Sequence, residues 1–344
     1  MNDFRPRHVL VTGGAGFIGS NFVRYLLAAD AEVRIVNLDL LTYAGSLSNL
    51  KDLPDPDRHV FVKGDICNRQ FVTGLLYKHD IDTIVHFAAE SHVDRSINAP
   101  TAFVRTNVVG TFELLEAARQ YWLEKCRRSA ESCRFHHIST DEVYGALGPT
   151  DPPFTECSPL AANSPYSATK AASDHLVRAY HHTYGLPVTT SNCSNNYGPS
   201  QHNEKFIPTI IRACLQGEPI PVYGDGSNIR DWLYVEDHCR GIDAVVRRGR
   251  VGETYNIGGD NAWHNIDITR LICRMMDEWQ PDGAPHVRHI RFVKDRPGHD
   301  WRYAMDATKI RKELNWQPAE SFESGLRKTL PWYLQQYKGA AARR

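Results

Sequence analysis

The segment VTGGAGFIG, residues 11–19, decides the fold of this chain. It continues a short β-branched run over residues 8–12 and opens a helical pattern on its other side. Gly13, Gly16 and Gly19 give the spacing G-x-x-G-x-x-G. Such glycines let the backbone turn tightly and let a pyrophosphate approach the free N–H groups at a helix N-terminus. A purely structural glycine turn can have the same spacing, but the position between a strand and a helix favours a dinucleotide-binding loop.

Strands and helices alternate on both sides of this loop and beyond it. Helical patterns occupy 17–29, 102–122 and 165–184, and apolar, β-branched runs that predict strands occupy 33–39, 59–65, 83–89, 134–140 and 188–194. Parallel strands need a crossover connection, which a helix commonly supplies. The alternation therefore predicts an α/β fold with a doubly wound parallel sheet of the Rossmann type.

The amino-acid composition of the sequence changes after residue 197. Prolines and glycines become frequent, as in 217–232, which predicts a second, smaller α+β domain that binds the substrate. The run ETYNIGG at 253–259 predicts a strand that returns to the first sheet, so the two domains interleave. The predicted parts are a dinucleotide-binding domain of residues 1–197 with 235–262, a substrate-binding domain of residues 198–234 with 263–335, and a tail over 336–344.

The composition argues against several classes of protein. The 344 residues hold 40 Lys and Arg and 40 Asp and Glu, so the net charge gives no electrostatic reason to expect nucleic acid or a membrane surface as a partner. None of the eight cysteines forms a C-x-x-C pair, and no metal site is predicted. Scattered cysteines, apolar stretches too short for a membrane span and the lack of a signal-peptide core predict a cytoplasmic protein.

A carboxylate at the end of the second strand predicts which dinucleotide is bound. Asp39 stands where a carboxylate accepts hydrogen bonds from ribose hydroxyl groups and repels a 2′-phosphate. The next residues are Leu40 and Leu41 rather than arginine, which favours NAD over NADP. Asp65 and Ile66 end the third strand at the same edge of the sheet, where an adenine contact and a plain turn are both compatible with the sequence.

A tyrosine and a lysine share one face of the helix predicted at 165–184. Tyr166 and Lys170 are at positions i and i+4, about one turn apart. A nearby ammonium stabilises a phenolate, so this tyrosine can act as a base at neutral pH. An ordinary exposed i,i+4 pair is the alternative, and the preceding dinucleotide loop favours the functional interpretation.

Two adjacent carboxylates, Asp141 and Glu142, follow the strand predicted at 134–140. Neighbouring carboxylates that are partly removed from water can have their pKa values pushed apart, so that one is protonated while the other is ionised. Such a pair supplies an acid and a base to one substrate. A solvated loop pair or a helix cap is the alternative, and the position at a strand end of a dinucleotide-binding sheet favours catalysis.

The chain resembles the extended short-chain dehydrogenase/reductases that act on nucleotide sugars, which include NAD-dependent epimerases and dehydratases. The resemblance runs from the glycine loop to about residue 306. The segments that carry it are DLLTYAGSLSNL (39–50), FAAESHVDRSI (87–97), STDEVYG (139–145), SPYSATKAASDHLV (164–177), NNYGPSQHNEKFIP (195–208), PVYGDGSNIRDWLYVEDH (221–238) and DRPGHDWRY (295–303). The Asp-Glu pair makes the dehydratases of this family the most similar branch. Leu40 is a departure, because the family often has lysine there.

The resemblance implies a reaction in three stages. The sugar is oxidised at C4, water is eliminated across C5 and C6, and the hydride returns to C6, so that NAD is regenerated in each turnover. Tyr166 would take the proton of the C4 hydroxyl group, while Lys170 holds the nicotinamide ribose and Thr140 positions that hydroxyl group. Glu142 would remove the C5 proton, and Asp141 would protonate the C6 hydroxyl group as it leaves.

The resemblance also implies the contacts of the cofactor and of the substrate. The residues implied for NAD are Gly13, Gly16, Phe17, Ile18, Gly19, Asp39, Leu40, Leu41, Thr42, Asp65, Ile66, Phe87, Ala88, Ala89, Ser91, Thr106, Tyr166, Lys170 and Asn196. The residues implied for the nucleotide sugar are Ser91, Thr140, Asn195, Lys205, Phe206, Pro221, Tyr223, Arg230, Asn265, Arg296, His299 and Tyr303.

The substrate contacts have plain alternatives. Arginines on loops are mostly solvated, and asparagines before Tyr-Gly often make turns. The resemblance favours dTDP-glucose, but the sequence leaves thymine and uracil open because the two bases differ by one methyl group. It also implies a homodimer that pairs the helices at 102–122 and 165–184, although both helices could equally cover their own sheet.

Two other kinds of function share parts of this sequence. A nucleotide-sugar 4-epimerase or a uronate decarboxylase would use the same scaffold, but Asp141 and Glu142 argue against both. A redox-sensing NAD(P)-binding protein would need the glycine loop alone. The further presence of Thr140, Tyr166 and Lys170 argues against that function and favours an NAD-dependent hydro-lyase.

Overall fold

A large parallel sheet forms the centre of the molecule, and two small sheets lie beside it. The computed structural model describes residues 3–295 and 300–341. The strands are β1 (His8–Thr12), β2 (Arg34–Asp39), β3 (His59–Lys63), β4 (Thr83–His86), β5 (Arg134–Thr140), β6 (Val188–Cys193), β7 (Asn195–Tyr197), β8 (Ile220–Tyr223), β9 (Ile229–Tyr234), β10 (Thr254–Ile257), β11 (Ala262–His264) and β12 (Ile290–Val293). Seven of them form the large sheet in the order β10-β6-β5-β4-β1-β2-β3, with parallel pairing throughout.

Helices connect most of these strands. Within the described residues they are α1 (Phe17–Ala29), α2 (Arg69–Lys78), α3 (Val93–Asn98), α4 (Pro100–Phe103), α5 (Thr111–Ala118), α6 (Pro165–Tyr184), α7 (Phe206–Gln216), α8 (Val235–Arg248), α9 (Asn265–Trp279), α10 (Thr308–Leu314) and α11 (Phe322–Ala341). Among these described helices, none combines the length and the apolar character that crossing a bilayer requires. The predicted tail at 336–344 is helical at its start, because α11 continues to Ala341.

Helices cover both faces of the large sheet, which confirms the predicted doubly wound α/β fold. On one face α1 packs against α8, and Phe22 and Val245 are buried in their shared core. On the other face α2, α5 and α6 contribute Leu76, Leu115 and Val177 to a second core. Burying each such side chain stabilises the fold by about 1.5–3 kcal/mol.

The small sheets lie at the carboxyl edge of the large sheet. One contains β11, β9 and β7, and β7 begins at Asn195, directly after β6 leaves the large sheet. The other contains β8 and β12. Their core includes Ile211, Ile272 and Leu330 from α7, α9 and α11. The strand predicted at 253–259 is β10, which pairs with β6 and so brings the chain back to the large sheet as expected.

The helix predicted at 102–122 is part of a longer helical run from Pro100 to Lys125. Two stretches of this run, Val104–Gly110 and Arg119–Lys125, have the wider turns of a π-helix. Asn107 lies in the first stretch, where its buried side chain accepts from the Glu90 N–H at 2.9 Å and donates to the Thr169 hydroxyl at 3.0 Å. π-Helical turns occur often at functional sites, and this one faces the loop after β4.

Close backbone contacts explain two of the glycines at the first strand–helix turn. Gly13 has a φ of +72°, and a Cβ atom there would lie 2.6 Å from the backbone nitrogen of Ala88. A Cβ atom on Gly19 would lie 2.4 Å from the Gly13 carbonyl oxygen. The backbone that follows β4 and the start of α1 can therefore approach the turn only because these positions lack side chains.

We expect Gly19→Ala and Gly74→Ala to change stability in opposite directions. Gly74 lies in α2, where a Cβ atom meets nothing within 4 Å. Alanine there should raise the free energy of unfolding by about 0.5–1 kcal/mol, because it reduces the entropy of the unfolded chain. Alanine at Gly19 should lower it by about 1–3 kcal/mol through overpacking. Urea denaturation measures both differences, and equal effects at the two positions would contradict this account.

Candidate active site

A large cleft runs along the carboxyl edge of the sheet and reaches the small sheets. Its volume is about 530 Å³. The residues predicted for binding or catalysis that line it are Gly13, Gly16, Phe17, Ile18, Gly19, Asp39, Leu40, Thr42, Asp65, Ile66, Phe87, Ala88, Ala89, Ser91, Thr106, Thr140, Asp141, Glu142, Tyr166, Lys170, Asn195, Asn196, Lys205, Phe206, Pro221, Tyr223, Arg230 and Asn265. Leu41 and Tyr303 do not line it, and Arg296 and His299 lie outside the described residues.

The N-terminus of α1 opens into one end of the cleft. Gly16 is the residue that caps α1, and its lack of a side chain leaves the backbone N–H groups of the first turn accessible. The first turn of α1 contains no acidic residue. A positive helix end without an acidic neighbour favours an anion such as a pyrophosphate.

Asp39 lies beside this helix end, where β2 leaves the sheet. Its buried carboxylate accepts from the Ala15 N–H at 2.9 Å and from the Leu41 N–H at 2.7 Å. The Leu41 backbone, with a φ of +58°, thus helps to hold the carboxylate, although the Leu41 side chain stays out of the cleft. Each oxygen keeps a second lone pair for a hydroxyl donor. The negative charge disfavours a 2′-phosphate, which agrees with NAD as the cofactor.

Asp65 closes the same end of the cleft after β3. Its Oδ1 accepts from the Cys67 N–H at 2.9 Å, and its Oδ2 accepts from Arg105 at 3.1 Å. The Asp65 carboxylate therefore makes the contacts expected of a residue in a plain turn, which was one of the two interpretations of the sequence. It lines the cleft as well, together with Ile66 and with Thr106 from the π-helical stretch.

The two adjacent carboxyl groups lie where β5 ends. Asp141 and Glu142 begin a 3₁₀ turn that ends at Tyr144. The Thr140 hydroxyl group donates to Asp141 Oδ1 at 3.2 Å and accepts from the Glu142 N–H at 3.3 Å. This turn fixes one carboxyl group inward, with Asp141 only 2% exposed, while Glu142 is less buried.

Burial decides the protonation state of Asp141. Removal from water raises the pKa of its carboxyl group well above the ordinary range, and the negative charges of Glu142 and Asp231 raise it further. Its Oδ2 atom is buried and makes no hydrogen bond within the described part of the chain. This upward shift of the pKa favours the protonated form of Asp141, which can donate a proton into the cleft, beside Glu142, which also lines it.

The helix predicted at 165–184 is α6, with these same bounds. Ser164 and Ser167 form a capping box, and Pro165 occupies the first turn. Lys170 is 4% exposed, and its Nζ donates to the Ile138 carbonyl oxygen of β5 at 2.8 Å. Burial lowers the pKa of this ammonium to about 8. An ordinary exposed i,i+4 pair is thereby excluded.

The surroundings of Tyr166 differ from the expected ammonium–phenolate pair. Burial raises the pKa of the phenol well above its ordinary value, and the Glu142 charge adds to the effect, whereas a hydrogen bond with Thr140 opposes it. Lys170 is directed at a strand carbonyl instead. The protein by itself therefore favours the neutral phenol, and a further positive charge in the cleft would favour ionisation of Tyr166.

Arg230 provides a fixed positive charge on the substrate side of the cleft. Its guanidinium is buried and donates to the carbonyl oxygens of Ile229, Asp300 and Trp301 at 2.7, 2.8 and 3.2 Å. It also lies 4.4 Å from the centre of the Tyr303 ring. Tyr303 thus contacts the arginine, although it does not itself line the cleft.

A group of residues at the mouth of the cleft was not predicted. We call Tyr43, His92, Arg95 and Glu204 the mouth cluster. Arg95 pairs with Glu204 at 2.7 Å and lies 3.9 Å from the centre of the Tyr43 ring, and His92 Nε2 lies 3.6 Å from Glu204 Oε2. Each residue occurs in a segment that carries the family resemblance, but no spacing in the sequence connects the three segments. Among the described residues, no group of three or more His, Cys, Asp or Glu is arranged to hold a metal ion.

Comparisons with known proteins agree with this geometry. A family model described as GDP-mannose 4,6 dehydratase matches residues 10–329. A dTDP-glucose 4,6-dehydratase of Xanthomonas campestris pv. campestris (strain B100) is 58% identical over 327 residues, which is 94% of this chain and 92% of that protein. A dTDP-glucose 4,6-dehydratase 1 of Escherichia coli (strain K12) is 53% identical over 338 residues, with 96% and 93% coverage. The crystal structure of DesIV, a dTDP-glucose 4,6-dehydratase from Streptomyces venezuelae with NAD and TYD bound, has a TM-score of 0.86 at 46% identity and covers 96% of this chain and 98% of that one.

Asp141→Asn should raise stability by an amount that grows with pH. The folded protein keeps the Asp141 proton, whereas the unfolded chain loses it above the ordinary carboxyl pKa of about 3.9. The wild type therefore loses stability as the pH rises above that value, by up to about 1.4 kcal/mol per pH unit, until the folded-state pKa is passed. The asparagine variant lacks this dependence.

Urea denaturation of both proteins from about pH 5 to about pH 8 measures the difference in unfolding free energy. Asp57→Asn, at an exposed carboxyl group, is the matched control and should give a difference that does not grow with pH. A constant difference between the wild type and Asp141→Asn would mean that Asp141 is ionised in the folded protein.

Proposed function

This chain belongs to the GDP-mannose 4,6 dehydratase family, and we propose from that premise that it dehydrates dTDP-glucose with NAD as its cofactor. The product is the 4-keto-6-deoxy sugar. One observation carries the reaction class: a buried Asp141, whose raised pKa favours its protonated form, stands beside Glu142 in the same cleft as Tyr166 and Lys170. An epimerase or a uronate decarboxylase has no step that uses such an acid and base together, whereas the elimination of water needs both.

The described residues fit a dinucleotide. Gly16 leaves the N–H groups at the start of α1 accessible from the cleft, and Asp39 offers acceptors to ribose hydroxyl groups. When bound, NAD supplies a hydride acceptor and donor and, in its oxidised form, a positive charge. That charge favours ionisation of Tyr166, whose phenol is otherwise kept neutral by burial.

Oxidation at C4 requires a proton acceptor, and we assign this role to Tyr166. The Tyr166 oxygen takes the proton of the C4 hydroxyl group as hydride leaves C4. Thr140 is hydrogen-bonded to Tyr166 and to Asp141, so its hydroxyl group is suited to orient the same sugar hydroxyl. Lys170, fixed on the Ile138 carbonyl oxygen, is suited to hold the nicotinamide ribose.

Elimination of water moves two protons between the sugar and the acid pair. The 4-ketone acidifies the C5 hydrogen, Glu142 removes it, and Asp141 gives its proton to the C6 hydroxyl group, which leaves as water. The pair carries one negative charge before and after this step, so the repulsion that kept Asp141 protonated is relieved as Glu142 becomes neutral. The loss of the negative charge on Glu142 thus makes the buried Asp141 a stronger acid when it must donate its proton to the C6 hydroxyl group.

The proton balance closes when hydride returns to C6. Glu142 then returns its proton to C5 and is ionised again. Tyr166 has gained one proton from the C4 hydroxyl group and Asp141 has lost one to water, so one proton passed from Tyr166 to Asp141 restores both. Thr140 is hydrogen-bonded to each of the two and is suited to carry this proton.

The two parts of the chain divide the ligands between them in this proposal. Residues 1–197 with 235–262 hold NAD, and residues 198–234 with 263–335 hold the nucleotide sugar, with 336–344 as a tail. Arg230 is the described cation best suited to the diphosphate, because its guanidinium is buried and fixed by three carbonyl oxygens. Arg296 and His299 are proposed for the same ligand from the resemblance alone.

We also propose a cytoplasmic homodimer. Exposed apolar side chains on the helical run from residue 100 to 125 and at the end of α6 support the pairing of these elements across two copies. Val104 is 49% exposed, Val109 41% and Tyr184 49%. Surfaces of this kind are favourable to bury in an interface.

A panel of dTDP-, UDP- and CDP-glucose tests the reaction and its substrate together. We expect the dTDP sugar to lose water, which mass spectrometry of the product detects. Discrimination by one methyl group contributes about 1–3 kcal/mol, so UDP-glucose should react about 10–200-fold more slowly by kcat/KM. A product of unchanged mass would indicate epimerisation, and NAD binding without turnover of any hexose would indicate a binding protein.

Glu142→Gln should separate oxidation from elimination. The variant lacks the base for C5 but keeps Tyr166, so bound NAD should still become reduced in a single turnover. Product formation should fall by about 10²-fold or more, and deuterium from D₂O should no longer enter at C5. Tyr166→Phe is the matched control, because it should block reduction of NAD as well. Wild-type deuterium incorporation in Glu142→Gln would remove Glu142 from this role.

A further inference from the structure

A third polar residue continues the active-site face of α6 below the cleft. Tyr166, Lys170 and Asp174 are spaced four residues apart along this helix. Asp174 does not line the cleft, and its side chain is only 12% exposed. Its Oδ2 accepts from the Ser139 hydroxyl group at 2.8 Å, and its Oδ1 lies 3.1 Å from Nε2 of His137.

These contacts join α6 to the end of β5 at consecutive residues. Lys170 donates to the carbonyl oxygen of Ile138, and the next residue, Ser139, donates to Asp174. The following residue is Thr140, where the catalytic turn begins. The two hydrogen bonds therefore set the register between the helix that presents Tyr166 and the strand that presents the acid pair.

The charges of Lys170 and Asp174 depend on each other. Burial lowers the pKa of Lys170 to about 8, and the Asp174 charge is the largest influence that opposes this. Burial raises the pKa of Asp174 to about 7, and the Lys170 charge is the largest influence that opposes that. Asp174 is thus ionised above about pH 7 and Lys170 is protonated below about pH 8, so both are charged between these values.

The other titratable groups around this pair stay neutral near neutral pH or are exposed. From β5, burial lowers the pKa of His137 well below its ordinary value, and from β4 it does the same to His86, whose ring lies 5.5 Å from that of His137. From β6, burial raises the pKa of the Cys193 thiol, and in the turn after β5 it raises that of the Tyr144 phenol. On α6 itself, His175 is exposed, and its charge lowers the pKa of Asp174.

We propose that Asp174 is a positioning residue of this active site, which ties α6 to the end of β5 and supplies the counter-charge of the Lys170 ammonium. The proposal rests on the proposed function in that it gives Lys170 a charged role beside NAD. Asp174 acts through Lys170 and Ser139 and does not touch the substrate. Loss of its charge leaves a buried ammonium without its strongest opposing charge, and Lys170 then loses its proton at a lower pH.

The test is the pH dependence of NAD reduction in a single turnover with dTDP-glucose. In Asp174→Asn the alkaline limb of this profile should move down by about one pH unit, so that the rate near pH 8 falls about fivefold further than the rate well below pH 7. Ser139→Ala keeps the charge of Asp174 but removes the hydrogen bond between Asp174 and β5. This variant should therefore lower the rate of NAD reduction without moving the alkaline limb. Asp243→Asn is the matched control for loss of a buried helical carboxylate, because Asp243 lies on α8, on the other face of the sheet, and pairs with Arg247.

Lys170→Arg gives the decisive comparison, because a guanidinium stays charged at every pH used. In this background Asp174→Asn should produce no alkaline limb and should lower the rate equally at every pH well above 7, where Asp174 is ionised. The proposal would be overturned if Asp174→Asn shifted an alkaline limb of the pH–rate profile in the Lys170→Arg background. It would also be overturned if Asp174→Asn left the alkaline limb unshifted when Lys170 is present. Should Asp174→Asn fail to fold, the wild type and Lys170→Arg still decide: the alkaline limb near pH 8 must be present in the first and absent in the second.

Failure of the proposed function would be recognised separately. A wild type that reduces no NAD with any nucleotide hexose contradicts the proposed reaction and leaves the charge pair to be tested by NAD binding alone. Tryptophan fluorescence titrations with NAD should then show affinity weakening above about pH 7 in Asp174→Asn but only above about pH 8 in the wild type. Equal pH dependence in the two proteins would overturn the inference about Asp174.

Discussion

The parallel alignment of the seven strands is the constraint on which the rest of this molecule depends. Parallel strands end at one edge of a sheet, so the glycine loop after β1, Asp39 after β2 and the acid pair after β5 must all open into the same space. Helices on both faces leave that edge as the accessible side of the sheet. One small sheet follows the large sheet at this edge through β7, and residues of both small sheets complete the cleft around residues that lie far apart in sequence.

The sequence predicted the elements whose patterns are local. The strand at 134–140 and the helix at 165–184 have their expected bounds, because an apolar run and a Ser-Pro helix start are readable within a few residues. The NAD specificity and the acid pair were equally readable, since each depends on one or two carboxylates at a strand end. The return of β10 to the large sheet was predicted from its β-branched, apolar character after a loop-rich region.

Features that depend on contacts between distant residues were not predicted. The π-helical turns around Asn107 accompany hydrogen bonds with Glu90 and Thr169, and no pattern within the helix announces these partners. The direction of Lys170 toward a strand carbonyl, rather than toward Tyr166, could not be known before α6 was placed against β5. The mouth cluster likewise joins three loops. The sequence therefore predicted which groups line the cleft, while their orientation and pKa shifts follow from burial that only the folded chain creates.

The mouth cluster bears on whether the cofactor must leave the protein between turnovers. Arg95, Glu204 and Tyr43 connect the loop after β2 and the start of α3 with the segment before α7. Tyr43 and Glu204 also line the cleft, so these contacts lie beside the space in which the reaction occurs. An enzyme that transfers a hydride to its cofactor and then recovers it does not need to release the cofactor. Its turnover rate would therefore not depend on the ratio of oxidised to reduced nicotinamide cofactor in the surrounding solution.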